Sequence, residues 1–240
     1  MQIDWRLFTG LSLVIFGFSA PVLADHIVLQ SDADKYSIGQ LLQDPLSLLL
    51  DDGQRLVLLS DHGDVIDIEG PFTGVPSSSN PDEFDLKKAL TSLIDNPDQL
   101  HASLGSTRFV GPRISAPQPR PPWKLDAFET GSQCIIEGSQ IQFWRADAKQ
   151  ELLLVIQRPG SVGTGEISWP AGESESDWPD SIPVANDELY VVRRPGWMEN
   201  AMIRLAILPE AIADNVESSV AWLAVNGCRT QAQILLEALP

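Results

Sequence analysis

The chain is poor in the residues that most often carry chemistry. Its 240 residues include 3 histidines and 2 cysteines. The histidines, His26, His62 and His101, all lie in the first half of the chain, and no two stand at a helix-compatible spacing. A convergent metal-ligand set therefore lacks its usual members. The cysteines, Cys134 and Cys228, lie in the other half, so neither thiol has a histidine base in its own part of the sequence. There is no Gly-x-Ser-x-Gly elbow. There is no phosphate loop either, because "GTG" at 163–165 lacks the lysine and the helix that should follow. A pair of distant carboxylates could serve sugar hydrolysis, but with 33 acidic residues no particular pair stands out.

Positive charge is scarce as well. Only 16 Lys and Arg face 33 Asp and Glu, a formal net charge of −17. Such a surface repels phosphate backbones and anionic membranes, so nucleic acid is not an expected partner. Long apolar runs are missing after residue 24, and nothing later is apolar enough to cross a bilayer.

The first 24 residues do carry such a run. Arg6 precedes the apolar stretch Leu7 to Phe18, and Val22-Leu23-Ala24 follows. A charged start, an apolar middle and small residues at the end are the layout of a secretory signal. Residues 1–24 are read as a signal peptide cleaved before Asp25. The competing reading, an uncleaved anchor, is opposed by Pro21 and by a run shorter than the roughly 20 residues of a span. The expectation is a periplasmic protein with no stable membrane insertion after cleavage. In that oxidising space Cys134 and Cys228 pair as a disulfide closing 228 − 134 = 94 residues. The bridge would staple the C-terminal helices to a strand near Cys134.

Composition allows a sizeable core, since 43% of the residues are hydrophobic. A division is visible at residues 105–123, where Pro112, Pro117, Pro119, Pro121 and Pro122 crowd together. Proline at this density makes a stiff, extended spacer. It separates an N-terminal β-rich domain with a helix, residues 25–104, from a C-terminal unit, residues 124–240.

In the first unit, "LSLLL", "RLVLL" and "DVIDIEG" read as strands, joined by turns at Asp51-Asp52-Gly53 and at Asp61-His62-Gly63-Asp64. That spells an antiparallel meander over 46–69, with "IGQLL" as a further strand. A helix follows, with Asn80 as N-cap, Pro81 at its first position and Glu83 closing a capping box. Its apolar stripe is Leu86, Leu90, Leu93 and Ile94. A shorter helix is expected over 97–104.

The second unit shows strands near "QIQFW", "ELLLVIQ", "EISW", "ELYVVRR" and "AMIRLAIL", with turn signals such as Pro159-Gly160 and Pro195-Gly196 between them. This spacing predicts an antiparallel β-sandwich-like unit. The tail then changes period. Val216, Val220 and Leu223 mark one helix, ended by Asn226-Gly227, and Ala232, Leu235, Leu236 and Leu239 mark another. The fold class is mainly β with helices: an N-terminal meander plus helix, and a C-terminal sandwich closed by a helical hairpin.

Three acidic clusters invite a metal reading: Asp61-His62-Asp64, Asp25-His26-Asp32-Asp34, and Glu173-Glu175-Asp177. Each reads better as a solvated turn or loop, because the spacing of a calcium loop is missing. No metal site and no cofactor are expected. The tryptophans are the better binding candidates. Trp144 falls on the strand face opposite Ile141 and Phe143, and Trp178 sits among acidic residues in "SESDWPDS". The tryptophans as a group read first as sandwich core and cover for the helical hairpin; the alternative is a contact surface, for which Trp144 and Trp178 are the two expected to be exposed.

The stretch "YSIGQLLQDPLSLLLDDGQRLVLLSDHGDVIDIEGPFTG", about residues 36–74, is similar to FecR-like exported β-domains. Ile38-Gly39, Leu48 to Leu50, Asp52-Gly53 and Leu56 to Leu58 carry the resemblance. It implies a non-catalytic envelope or signalling domain. The C-terminal half looks like exported proteins of Gram-negative bacteria. The expected function is a non-catalytic binding or sensing module that contacts an envelope protein or a glycan. The alternatives are a carbohydrate-active or other hydrolytic periplasmic enzyme, and a structural envelope component.

Overall fold

A computed structural model describes residues 25–43, 46–76, 84–95 and 120–239. The expected signal peptide, the cap residues Asn80, Pro81 and Glu83, the helix at 97–104 and the linker as far as residue 119 lie outside the described residues.

The protein is mainly β with helices, as its sequence pattern implies. The first sheet is antiparallel. It takes its strands from β1 (Asp25–Ser31), β2 (Leu41–Gln43), β4 (Arg55–Ser60) and β5 (Val65–Glu69), in the order β2-β1-β4-β5. The turn at Asp61–Asp64 makes the expected β4–β5 hairpin. The turn at Asp51-Asp52-Gly53 does something else. The strand before it, β3 (Leu48–Leu50), leaves the sheet and pairs with β6 (Phe72–Gly74). Leu48 and Leu50 thereby bury against Leu56 and Leu58, so β3 covers the sheet's face and does not extend its edge.

Both faces of this sheet are buried. Leu56, Leu58, Ile66 and Ile68 face the β3 side, while Val57, Leu59 and Val65 face helices. That explains why "RLVLL" is continuously apolar and does not alternate. The helical layer consists of α1 (Leu86–Asp95), α3 (Val216–Val225) and α4 (Arg229–Ala238), with the short α2 (Glu210–Ala213) leading into α3. The expected stripe on α1 is realised by Leu90, Leu93 and Ile94, joined by Ala89. Asp85 caps its start by accepting from the Lys88 N–H at 2.9 Å. Helix α3 is buried from Ser218 to Ala224, a helix surrounded on all sides, although Val216 of the expected stripe is exposed.

Beyond the helices stands the C-terminal sandwich. Its large sheet comprises β8 (Gly131–Ile136), β10 (Leu152–Gln157), β11 (Thr164–Trp169), β13 (Glu188–Arg193) and β14 (Asn200–Leu208), in the order β11-β10-β13-β14-β8. A smaller sheet of β7 (Leu125–Asp126), β9 (Gln142–Trp144) and β12 (Glu175–Asp177) packs opposite it. The unit is not wholly antiparallel, because β8 runs parallel to β14 and β7 parallel to β9. Phe143, Leu154, Ile156, Trp169, Tyr190 and Ile203 fill the space between the sheets.

Strand β8 belongs to two cores. Ile135 faces the sandwich, whereas Cys134 faces the helices and bonds to Cys228. Helix α3 ends in a Schellman motif: the Cys228 N–H donates to Leu223 O at 2.8 Å and the Gly227 N–H to Ala224 O at 3.1 Å. Gly227 takes φ +79°, which opens the turn that presents Cys228 to β8. The buried amide of Gln231 seals the same strand edge, accepting from the Cys134 N–H at 2.7 Å and donating to Cys134 O at 2.8 Å.

The first sheet joins the helices through the β4–β5 turn. Ser218 Oγ donates to Ser60 O at 2.9 Å, and Asn215 Nδ2 donates to His62 O at 3.2 Å. Gly63 lies against Asn215 with φ +88°, and a Cβ there would come within 2.3 Å of Asn215 Nδ2. Glycine is required on both counts. Asn215 also caps α3 by accepting from the Ser218 N–H.

Candidate functional site

The two tryptophans expected at the surface are inside. Trp178 is 8% exposed and Trp144 5%. The Trp178 ring stacks on Phe143 at 5.4 Å and meets Tyr190 edge-on at 5.0 Å. Its Nε1 donates to Ile182 O at 2.8 Å, closing the turn that follows it. The acidic neighbours point elsewhere, since β12 alternates and places Glu175 and Asp177 outward, so the next residue turns in. Gly165 accommodates this packing, because a Cβ there would lie 2.5 Å from Pro179 Cγ and 2.8 Å from Ile182 Cγ1. Trp144 does lie outside the core that Phe143 enters, as the alternation implies, but its own face is covered too.

Among the described residues the exposed tryptophan is Trp197. It is 60% exposed and follows the Pro195-Gly196 turn at the β13–β14 hairpin tip. Its neighbour Met198 is wholly exposed at 101%. The Arg194 guanidinium lies 3.6 Å from the centre of the Trp197 ring and 5.7 Å from that of Phe128, which is 48% exposed. One cation thus joins two exposed rings from segments distant in sequence. The signal was present in "RRPGWMEN": a tryptophan straight after a turn pair, between two strands, belongs at a hairpin tip.

Buried polar groups hold this end of the sandwich in shape. Arg145 is buried and donates to three carbonyls, those of Glu173, Gln150 and Pro170, while stacking over Trp169 at 4.7 Å. Burial lowers its pKa, and the charge of Arg194 acts in the same direction. On the other side Asp126 Oδ1 accepts from the Phe128 N–H at 2.8 Å and orders the loop that carries Phe128. Burial raises the Asp126 carboxyl above its ordinary range, against the pull of that hydrogen bond. Gln133 ties the same loop together, donating to Asp126 O and Glu129 O and accepting from Arg120 Nη2.

A second feature is a groove of ≈ 390 Å³ at the open flank of the sandwich. Glu166, Ile167 and Ser168 of β11 line one side, and the run Ser176 to Asp180 lines the other. Trp178 contributes to its floor.

The remaining candidates stay apart. Asp61 is buried and bonds to the Nδ1 of exposed His62. Among the described residues no three His, Cys, Asp or Glu lie together as metal ligands would. Both cysteines are joined in the bridge. No helix among the described residues is long and apolar enough to cross a membrane. Comparison with protein-family models, with curated proteins and with solved structures finds no match to this chain.

Proposed function

We propose that this protein is a non-catalytic contact module of the periplasm, which binds an envelope protein through the β13–β14 hairpin tip of its C-terminal sandwich. The observation that carries the reading is Trp197, solvated with the Arg194 guanidinium over its ring, Phe128 on the same cation and exposed Met198 next in sequence. Tryptophan, arginine, methionine and phenylalanine are the residues over-represented at protein interfaces. A preset ring loses little freedom on binding, so its burial converts into affinity efficiently. Met198 favours a protein over a glycan, because a flexible thioether packs on apolar surface and offers a sugar no donor. The resemblance of residues 36–74 to FecR-like domains points in the same non-catalytic direction.

The test is site-specific photo-crosslinking in envelope extract. A photoreactive phenylalanine at position 197 should give one discrete adduct, and the same probe at exposed Leu49 should not. Arg194→Ala should reduce the adduct several-fold. Equal labelling from both positions would overturn the reading.

A further inference from the structure

The large sheet has two edges, and they are treated differently. At β8 the edge is sealed, since Gln231 satisfies both the N–H and the C=O of Cys134, and the bridge covers the strand. At β11 the edge is open. Among the described residues no strand pairs with β11 except β10. In an antiparallel pair every second residue of the edge strand directs its N–H and C=O outward. No backbone bond outside the β10 ladder involves Thr164–Trp169 among the described residues. The smaller sheet also ends at this flank, at β12.

Between these two unpaired edges runs the groove of ≈ 390 Å³. It is not apolar. Glu166, Asp177 and Asp180 line it, with Ser168 and Ser176 between them. Asp177 accepts from two amides, Gln140 Nε2 at 3.0 Å and Gln142 Nε2 at 2.7 Å, which do not neutralise it. Glu166 and Asp180 enter no ion pair among the described residues. Three carboxylates therefore line a slot beside a strand edge that has no backbone partner among the described residues except β10.

We propose that this flank binds an extended, cationic peptide segment, which adds to β11 as a further strand. The open edge supplies the backbone bonds, and the alternation of an added strand sends every second side chain toward the carboxylates. Charge decides against the other natural occupant of a strand edge, a second copy of this chain. Each copy carries −17, and a two-fold β11–β11 pairing would bring both copies' groove carboxylates to one seam. Lysine or arginine at alternate positions relieves the same repulsion. The site is separate from the Trp197 tip and stands or falls without it.

The probe is a fluorescein-labelled ten-residue peptide alternating valine and lysine, titrated onto the full bridged chain at physiological salt and followed by anisotropy. Saturable binding is expected, and a valine–glutamate peptide should not bind. Two versions of the lysine peptide, N-methylated at odd or at even valines and lysines, keep every charge while removing alternate N–H donors. One of the two should lose at least tenfold in affinity and the other much less. The triple variant Glu166→Gln, Asp177→Asn, Asp180→Asn should weaken binding about tenfold, three modest charge contributions taken together. Its circular dichroism and melting should match the parent. Trp197→Ala should bind the peptide as the parent does. Equal binding by all three lysine peptides would show attraction without strand addition and overturn the proposal. So would absence of saturable binding, or a β11-mediated dimer in sedimentation.

Discussion

Replacing Trp178 by alanine should nearly unfold the sandwich, the opposite of what its acidic neighbours in the sequence imply. The ring fills the space between Phe143 and Tyr190. Truncating a buried tryptophan to alanine costs about 3–5 kcal/mol through lost transfer energy and the cavity left behind. The loss of Nε1 donation strands Ile182 O and adds about 1 kcal/mol. The total, about 4–6 kcal/mol, is a large part of the 5–15 kcal/mol that holds a typical domain. Urea unfolding followed by far-ultraviolet circular dichroism reads it directly. With a slope of about 2–3 kcal/mol per molar, the midpoint should fall by about 1.3–3 M. Trp178→Phe keeps most of the ring but not the donor, so it should lose roughly 1–2 kcal/mol. Trp197→Ala, made at the solvated tip, should stay within about 0.5 kcal/mol of the parent. A Trp178→Ala loss below about 1 kcal/mol would refute the burial argument and return that ring to the surface.

Two further outcomes follow from the disulfide and the buried carboxyl. Removing the bridge with Cys134→Ala and Cys228→Ala releases a 94-residue loop and should cost about 4–5 kcal/mol on the chain-entropy account. Amide exchange should quicken first in α4, and unchanged protection there would count against the clamp. Asp126 behaves unlike most carboxylates because burial raises its pKa in the folded chain. Between the unfolded value of about 3.9 and the higher folded one, the folded state holds a proton that the unfolded state has lost. Its contribution is therefore full below pH about 3.9 and disappears as pH rises through the folded value. Asp126→Asn keeps an acceptor for the Phe128 N–H, so it should stabilise the protein at pH 7 and be neutral near pH 3. Destabilisation at pH 7 in paired urea titrations would contradict this.

Much of the fold was legible because it rests on local signals. The apolar runs mark β4, β5, β10, β13 and β14, and Asn226-Gly227 marks the end of α3. The bridge follows from having two cysteines. What was not legible depends on what covers a face. The pattern of "LSLLL" says strand but cannot say that β3 crosses over Leu56 and Leu58. Trp144 was assigned to the correct face, yet burial of that face comes from the tertiary fold. Trp178 is different, because its signal was present and outweighed. Glu173, Glu175 and Asp177 alternate to one side of an extended run, which sends residue 178 to the other. Polarity of sequence neighbours describes the opposite face of a strand, not the residue's own.

The helical layer carries the same lesson to the level of the whole chain. A proline-rich stretch reads as a boundary because its own backbone is stiff, but a boundary also requires that few contacts cross it. Here one core takes Ile27, Leu29, Val57 and Leu59 from before that stretch and Cys134, Ala206, Val220 and Leu223 from after it. Helix α1 packs on α3 and α4, and Ser218 donates across to Ser60. Severing the chain between them would leave Leu90 and Leu93 on one piece and Val220 and Leu223 on the other, each without its partner surface. The bridge sits on this layer, holding α4 to β8 at the point where the two cores meet. The strand that leaves the Trp197 tip, β14, is hydrogen-bonded along β8 from Ile203 to Leu208. From β8 the disulfide and Gln231 lead into α4, and α4 packs on α1. The sandwich tip and the first sheet are therefore joined by a continuous path of buried contacts that passes through Cys134.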